Sequence, residues 1–217
     1  MKDPYLRLRE EMVRGQVAAR GVEDVRVLEA MRELPREWFV PKGLERACYE
    51  DGPLGIGGKQ TISQPYIVGY MLEALELTGR EKVLEVGTGS GYNAALLAML
   101  AGEVYSVERI PELASGAKAA LARCRRKNLH LSVGDGYGGI PAQAPFDRIV
   151  LTAAPPMVPE ALFTQLADGG ILLAPEGEDR QSLIRWRRRG AQLERENLLP
   201  VQFVPMLRGV SPRDPPK

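Results

Sequence analysis

Hydrophobic positions change their period along the chain, and each change marks an element. Within the first fifty residues they recur at helical spacing. Val27, Leu28, Met31 and Leu34 fall at i, i+1, i+4 and i+7, one face of an amphipathic helix. Gly21 is placed to end a preceding helix, Asp24 to cap this one and Pro35 to stop it. Tyr49 to Pro65 is rich in Gly, Pro and polar residues and reads as a long loop, a kind of segment that is often functional. Pro65 then opens an apolar helical stretch through Leu77.

From Lys82 strands and helices alternate. VLEVG (83–87) reads as a strand ending in glycines, and YNAALLAML (92–100) as a helix apolar on most sides, hence buried. VYSVE (104–108) is the second strand. PELASGAKAALARC (111–124) is a helix with Leu113, Ala117, Ala120, Leu121 and Cys124 on one side. LHLSVGDG (129–136) is the third strand with its turn, and FDRIVLTAA (146–154) the fourth. A short helix follows, with Pro159 in its first turn and Gly169–Gly170 at its end, before ILLAP (171–175), the fifth strand. This rhythm forces parallel pairing with helices on both faces, and right-handed crossovers make the sheet doubly wound. After Gly177 no crossover helix fits. SLIRWRRR and the residues after Gly190 read as antiparallel strands at one edge, ending in VQFVP (201–205).

The expected fold is therefore α/β: a doubly wound, mostly parallel Rossmann-like sheet with an antiparallel strand near one edge and an N-terminal helical extension. One domain is expected over 1–217. It comprises the extension (1–50), a loop and helix (51–81), the α/β core (82–177), the edge strands (178–210) and a flexible tail (211–217).

Composition narrows the function. At 44% hydrophobic residues wholesale disorder is excluded. Lys and Arg number 29 against 28 Asp and Glu, a formal net charge of +1, which argues against a dedicated polyanion binder. The arginine clusters RCRRK (123–127) and RWRRR (185–189) read as solvated faces, the first at a helix C-terminus and the second on an edge strand. Cys48 and Cys124 form no CxxC, and the lone His130 leaves no zinc set, so no metal site is expected. Cys124 falls on an apolar helix face and reads as packing. MKDPYLRLREE lacks a signal's apolar core, and no run approaches the ~18 apolar residues of a membrane helix. A soluble, cytoplasmic chain is the expectation, a monomer without nucleic-acid or membrane partners.

The sharpest chemical signal is EVGTGSGY (85–92), following a strand and opening a helix. Gly87, Gly89 and Gly91 let the backbone turn tightly and approach a ligand, with Glu85, Thr88 and Ser90 between and before them. The spacing is G-x-G-x-G rather than the dinucleotide form G-x-G-x-x-G. Tyr92 follows where a pyrophosphate would pass over the helix. The shorter spacing suits a ligand without phosphates, such as S-adenosylmethionine. Glu108 ends the second strand 21 residues past Gly87 and can accept from both ribose hydroxyls. Asp135 in GDG can accept from an adenine amino group. Arg109 and Gly136 adjoin these two acids. Tyr92 and Tyr137 lie near the glycine loops and either touch the donor or pack.

At this point the chain resembles a known family. GGKQTISQPYIVGYM (57–71), KVLEVGTGSGYNAA, GDG, APFDRIVLTAA and FVPM are similar to the protein-L-isoaspartate O-methyltransferases over residues 10 to 207. The resemblance implies S-adenosylmethionine as donor, with S-adenosylhomocysteine as product. It implies isoaspartyl, and less readily D-aspartyl, residues of damaged proteins and peptides as acceptor, and repair through a succinimide. It carries Ser63 over as the active-site serine. Thr61 and Ile62 become flanks of the donor, and Gly87 to Gly91, Glu108, Asp135 and Gly136 its contacts. Where the family often reads PLPIGYGQTIS, this chain reads PLGIGGKQTIS; Gly55, Gly58 and Lys59 imply a more flexible, more charged loop. From the residues alone Ser63 reads first as the cap of the helix that Pro65 begins; the resemblance reverses that order, and the two roles are compatible.

Such chemistry asks little of the side chains. A carboxylic acid of pKa near 4 is already ionised at pH 7, so no strong base is needed and His130 has no required role. Dry surroundings and positioning supply the rest. A methyltransferase acting on a base amine would instead call for an Asn/Asp-Pro-Pro-aromatic motif after the fourth strand, where this chain reads TAAPPM. A dehydrogenase would show the longer glycine spacing and a proton donor, while donor binding without turnover would mark an inactive protein.

Overall fold

A computed structural model describes residues 3–211. The expected tail falls, from residue 212 on, outside the described residues. The N-terminal extension is helical. α1 (Leu6–Met12) runs on through a wider turn at Val13–Val17, and Gly21 closes it in the left-handed region (φ +92°). In α2 (Val25–Glu33) the Asp24 carboxylate accepts the Arg26 N–H at 2.9 Å, capping the helix. Val27, Leu28, Met31 and Leu34 are all buried.

Tyr49–Pro65 is not a plain loop. It contains a hairpin, β1 (Leu54–Gly57) and β2 (Gln60–Ile62), closed by Gly58 and Lys59, both at positive φ. Two positive-φ residues suit the right-handed twist of paired strands. The departures from the family pattern thus build a turn. α3 (Pro65–Ala74) follows with Pro65 at its first position.

The α/β core then unfolds in order: β3 (Lys82–Val86), α4 (Tyr92–Leu100), β4 (Glu103–Glu108), α5 (Pro111–Ala122), β5 (Leu129–Val133), β6 (Phe146–Leu151), α6 (Glu160–Thr164), β7 (Leu166–Glu176), β8 (Gln181–Arg189) and β9 (Gln192–Val201). The seven-stranded sheet has the order β5-β4-β3-β6-β7-β8-β9. It is parallel through β7, winding outward from β3 in both directions. β8 is antiparallel to both β7 and β9. One face packs beneath α2, α3 and α4 around Met31, Met71, Leu72, Leu96 and Leu97. The other carries Ile149, Leu151 and Leu172, packed with Leu162 of α6. Among the described residues no helix is long and apolar enough to cross a membrane.

Several local expectations are corrected. Pro159 is the N-cap of α6, outside its first turn, and the helix ends at Thr164. Gly169 and Gly170 lie inside β7, where the pairing with β6 jumps from Phe146↔Leu166 to Arg148↔Ile171. Residues 167–170 have no partner on β6, so the glycines form an irregularity within the strand rather than a helix end. VQFVP does not continue β9 beyond Val201. It crosses the carboxyl end of the sheet, where Pro205 bridges Ala154 and the Met206 N–H donates to the Ala154 carbonyl at 2.8 Å. The RWRRR arginines are not on the edge strand, since β9 covers β8. Arg185 and Arg187 pair with Glu76, and Arg189 with Glu194. α5 ends at Ala122, two residues before Cys124. That half-buried thiol packs against the core, and burial raises its pKa.

Candidate active site

The parallel strands end together beneath the glycine loop. Gly87 turns at φ +100°, and a Cβ there would sit 2.3 Å from Thr152 Oγ1. Thr152 instead donates to the Gly87 carbonyl at 2.5 Å and ties the loop to β6. Glu108, at the tip of β4, accepts from the Gly89 N–H at 2.8 Å and from the Ile110 N–H at 2.9 Å. A carboxylate has about four acceptor sites, so capacity remains for a vicinal diol. Gly136 passes close to Val86, where a Cβ would come within 2.3 Å of Cγ1. Only glycine permits the backbone to run so near β3.

A cavity with about 880 Å³ of empty space, its mouth included, opens here. That lies within the size range of small-molecule sites. Gly87, Thr88, Gly89 and Ser90 form its floor; Glu108, Arg109 and Gly136 line one side. Thr61, Ile62 and Ser63, at the end of β2, line the other. Three of the expected residues do not line it. Gly91 is the N-cap of α4. Asp135 is spoken for by backbone amides, those of Tyr137 at 2.9 Å and Gly209 at 2.8 Å. Burial works against its ionisation, but those amides and the charges of Arg208 and Arg109 outweigh it and hold the carboxyl below its ordinary value.

Glu85 points away from the cavity. It is fully buried and accepts from Ser106 Oγ at 2.5 Å and Asn93 Nδ2 at 2.9 Å. Burial pushes its carboxyl up to about 7, against the pull of those two donors. Ser106 Oγ in turn lies 2.6 Å from Thr88 Oγ1, so this network supports the glycine loop from below. Ser63 does not cap α3. The N-cap is Gln64, and no side chain bonds that terminus. Tyr92 packs more than it lines: it is buried, with the Phe39 ring edge-on to it, centroids 5.5 Å apart. Tyr137 Oη donates to the Met206 carbonyl at 3.2 Å. His130 is far from this chemistry, exposed and bonded to Glu103.

Sequence reasoning gave no role to Thr152, although the TAA in which it stands was noticed. The segment after β9 also closes the site, Val204 to Leu207 forming part of the wall. A second groove, lined by Gln64, Ile67 and residues 200–204, meets the cavity at Thr61, Ser63, Thr152 and Val204.

A glycine loop after the first strand and an acid ending the second, on this parallel sheet, define a class: the Rossmann-like S-adenosylmethionine-dependent methyltransferases. Comparison with known proteins narrows it. The profile of the protein-L-isoaspartate(D-aspartate) O-methyltransferase family matches residues 7–211. The protein-L-isoaspartate O-methyltransferase of Methanoculleus marisnigri is 53% identical over 206 residues, 94% of either chain. That of a Synechococcus strain is 49% identical, covering 94% of this chain and 87% of its own. A solved protein-L-isoaspartate O-methyltransferase superposes with a TM-score of 0.85 at 31% identity, covering 93% of this chain and 67% of that one. A Plasmodium falciparum structure bound to S-adenosyl-L-homocysteine shares the fold at 22% identity, with a TM-score of 0.81, over 92% of this chain and 98% of its own. The chain belongs to the protein-L-isoaspartate(D-aspartate) O-methyltransferase family and is an S-adenosylmethionine-dependent enzyme.

Proposed function

We propose that this enzyme methylates the free carboxylate of L-isoaspartyl, and less readily D-aspartyl, residues in damaged proteins, with the residues around Ser63 receiving that carboxylate. The observation that carries this reading is the junction of the cavity and the groove at Thr61, Ser63, Thr152 and Val204. A donor seated on the glycine loop and a peptide laid in the groove would meet only there.

The bound donor supplies an electrophilic sulfonium methyl group. Gly87 to Ser90 present backbone to it, and Glu108 keeps acceptor capacity for its ribose hydroxyls. Thr61 and Ile62 cover its flank. Asp135, held ionised, orders the Gly136 turn and the strap at Gly209. Ser63 donates to the isoaspartyl carboxylate and orients it. That carboxylate needs no base, because it is ionised at neutral pH. Burial of the reacting groups favours their mutual neutralisation. The product ester is a better leaving group than the acid, so the following backbone nitrogen displaces methanol to give a succinimide, and its hydrolysis returns part of the damage to normal aspartate. The reading extends to a cytoplasmic monomer acting on proteins alone, in keeping with a net charge of +1.

The test is methyl transfer from labelled S-adenosylmethionine to two peptides differing only in isoaspartate versus aspartate. Base-labile label on the isoaspartyl peptide alone is expected. Label on neither, with donor binding demonstrated, would overturn the assignment.

A further inference from the structure

Arg36 follows the proline that stops α2, and its side chain is fully buried. Among the described residues no carboxylate pairs with it. Its Nε donates to the Cys48 carbonyl at 2.7 Å and its Nη2 to the Ser63 carbonyl at 2.6 Å. The guanidinium lies over the Tyr92 ring, 4.7 Å from the centroid. Its third nitrogen, Nη1, and the Tyr92 hydroxyl are both buried and make no hydrogen bond among the described residues. Burial pushes the guanidinium pKa down. A buried cation without a counterion is costly, and a fold that keeps one has spent stability on its location.

That location is specific. Ser63 sits where the cavity meets the groove, and Tyr92 opens α4 directly after the glycine loop. Arg36 therefore joins the N-terminal extension to both. We propose that Arg36 is a positioning residue for methyl transfer, holding the Ser63 loop in register against the first turn of α4. The inference rests on the acceptor role given to Ser63. A planar fork serves two carbonyls and an aromatic face at once. A lysine keeps the charge but can neither fork nor lie flat, so it holds the loop only loosely. The glycine loop itself has other ties, through Thr152 and Glu108, so donor affinity does not depend on Arg36.

The experiment compares wild type with Arg36→Lys and Arg36→Ala, assayed well below their unfolding temperatures. For Arg36→Lys the expected result is a fall in kcat of about a hundredfold on the isoaspartyl peptide, the scale of a misplacement of about 1 Å. The Kd for S-adenosylhomocysteine should stay within about threefold of wild type. Arg36→Ala should regain part of its kcat with methylguanidinium at non-denaturing concentrations and none with methylammonium. Wild-type kcat and KM in Arg36→Lys overturn the proposal. So does an activity loss matching the unfolded fraction measured by circular dichroism, or an equal loss of S-adenosylhomocysteine affinity. A wild-type enzyme inactive on the peptide removes the functional reading and this inference with it; an active wild type beside an unimpaired Arg36→Lys removes this inference alone.

Discussion

Glu85 should make the folded protein less stable as the solution becomes alkaline, and Glu85→Gln should abolish that dependence. The carboxyl lies wholly inside the protein between Ser106 and Asn93. Burial carries its pKa from an ordinary 4.5 to about 7. Between those values the folded state retains a proton that the unfolded chain has released. The folded state is therefore the better proton binder in that window, and stability falls as pH rises through it. At about 1.4 kcal/mol per pH unit, the full loss is about 3 kcal/mol once the pH is above 7. Glutamine is neutral throughout and fits the same partners. Its oxygen accepts from Asn93, and its amide donates to Ser106, which then turns its proton toward Thr88, where either hydroxyl can donate. Urea unfolding of both proteins from pH 5 to pH 8.5 tests this. The stability of Glu85→Gln relative to wild type should improve by about 2.5 kcal/mol across that range, because part of the loss has already occurred at pH 5. Parallel pH curves, or a relative gain in acid, would refute the reasoning.

Ser63→Ala should lower kcat/KM on the isoaspartyl peptide tenfold or more, about 1.4 kcal/mol, while changing stability by less than about 0.5 kcal/mol, because Gln64 holds the cap position. Unchanged kinetics with a clear loss of stability would leave Ser63 only a structural role. Gly69→Ala places a methyl 2.6 Å from Val17 Cγ1 and 3.3 Å from the Met31 sulfur, where α3 meets the N-terminal helices. Despite alanine's better helix propensity, worth about 1 kcal/mol, a net destabilisation of about 1–2 kcal/mol is expected in denaturant titrations.

The donor half of the site was legible because its signals are local. The glycines of 87–91 are required by the backbone at that turn, and Glu108 stands at a strand end that periodicity alone locates, whereas Asp135, beyond the next strand, does not line the cavity. α4 was read to the residue, since its apolar run is bounded by a glycine and by a strand. The hairpin at 54–62 was hidden because its strands are short and half exposed. Gly169–Gly170 resembled a helix end because paired glycines serve helix ends and strand irregularities alike, and only the β6–β7 register shows which. Nothing local distinguished β8 from an edge strand either; only the length of β9 covers it. Side-chain destinations were the least readable. Arg36 reaches Ser63 across 27 positions, and Glu85 reaches Ser106 across 21. In sequence Arg36 is one arginine in a polar stretch, and Glu85 looks like one more residue of the glycine motif.

These two buried side chains meet the same turn of helix. Arg36 lies on Tyr92, and Glu85 takes the amide of Asn93, the next residue. Neither lines the cavity, and among the described residues neither has an oppositely charged partner, so each is held by dipoles: carbonyls for the Arg36 cation, a hydroxyl and an amide for the Glu85 carboxyl. The first turn of α4 is thus fixed from two sides, by the N-terminal extension through Tyr92 and by β3 through Asn93. The glycine loop enters that turn directly, and Thr88 is bonded to the Glu85 network through Ser106. Rigid placement of the donor loop relative to Ser63 follows from that arrangement. It explains why a site with no strong base or nucleophile still rests on a buried cation and a buried carboxyl: positioning, rather than acid–base chemistry, is the work this reaction asks of the protein.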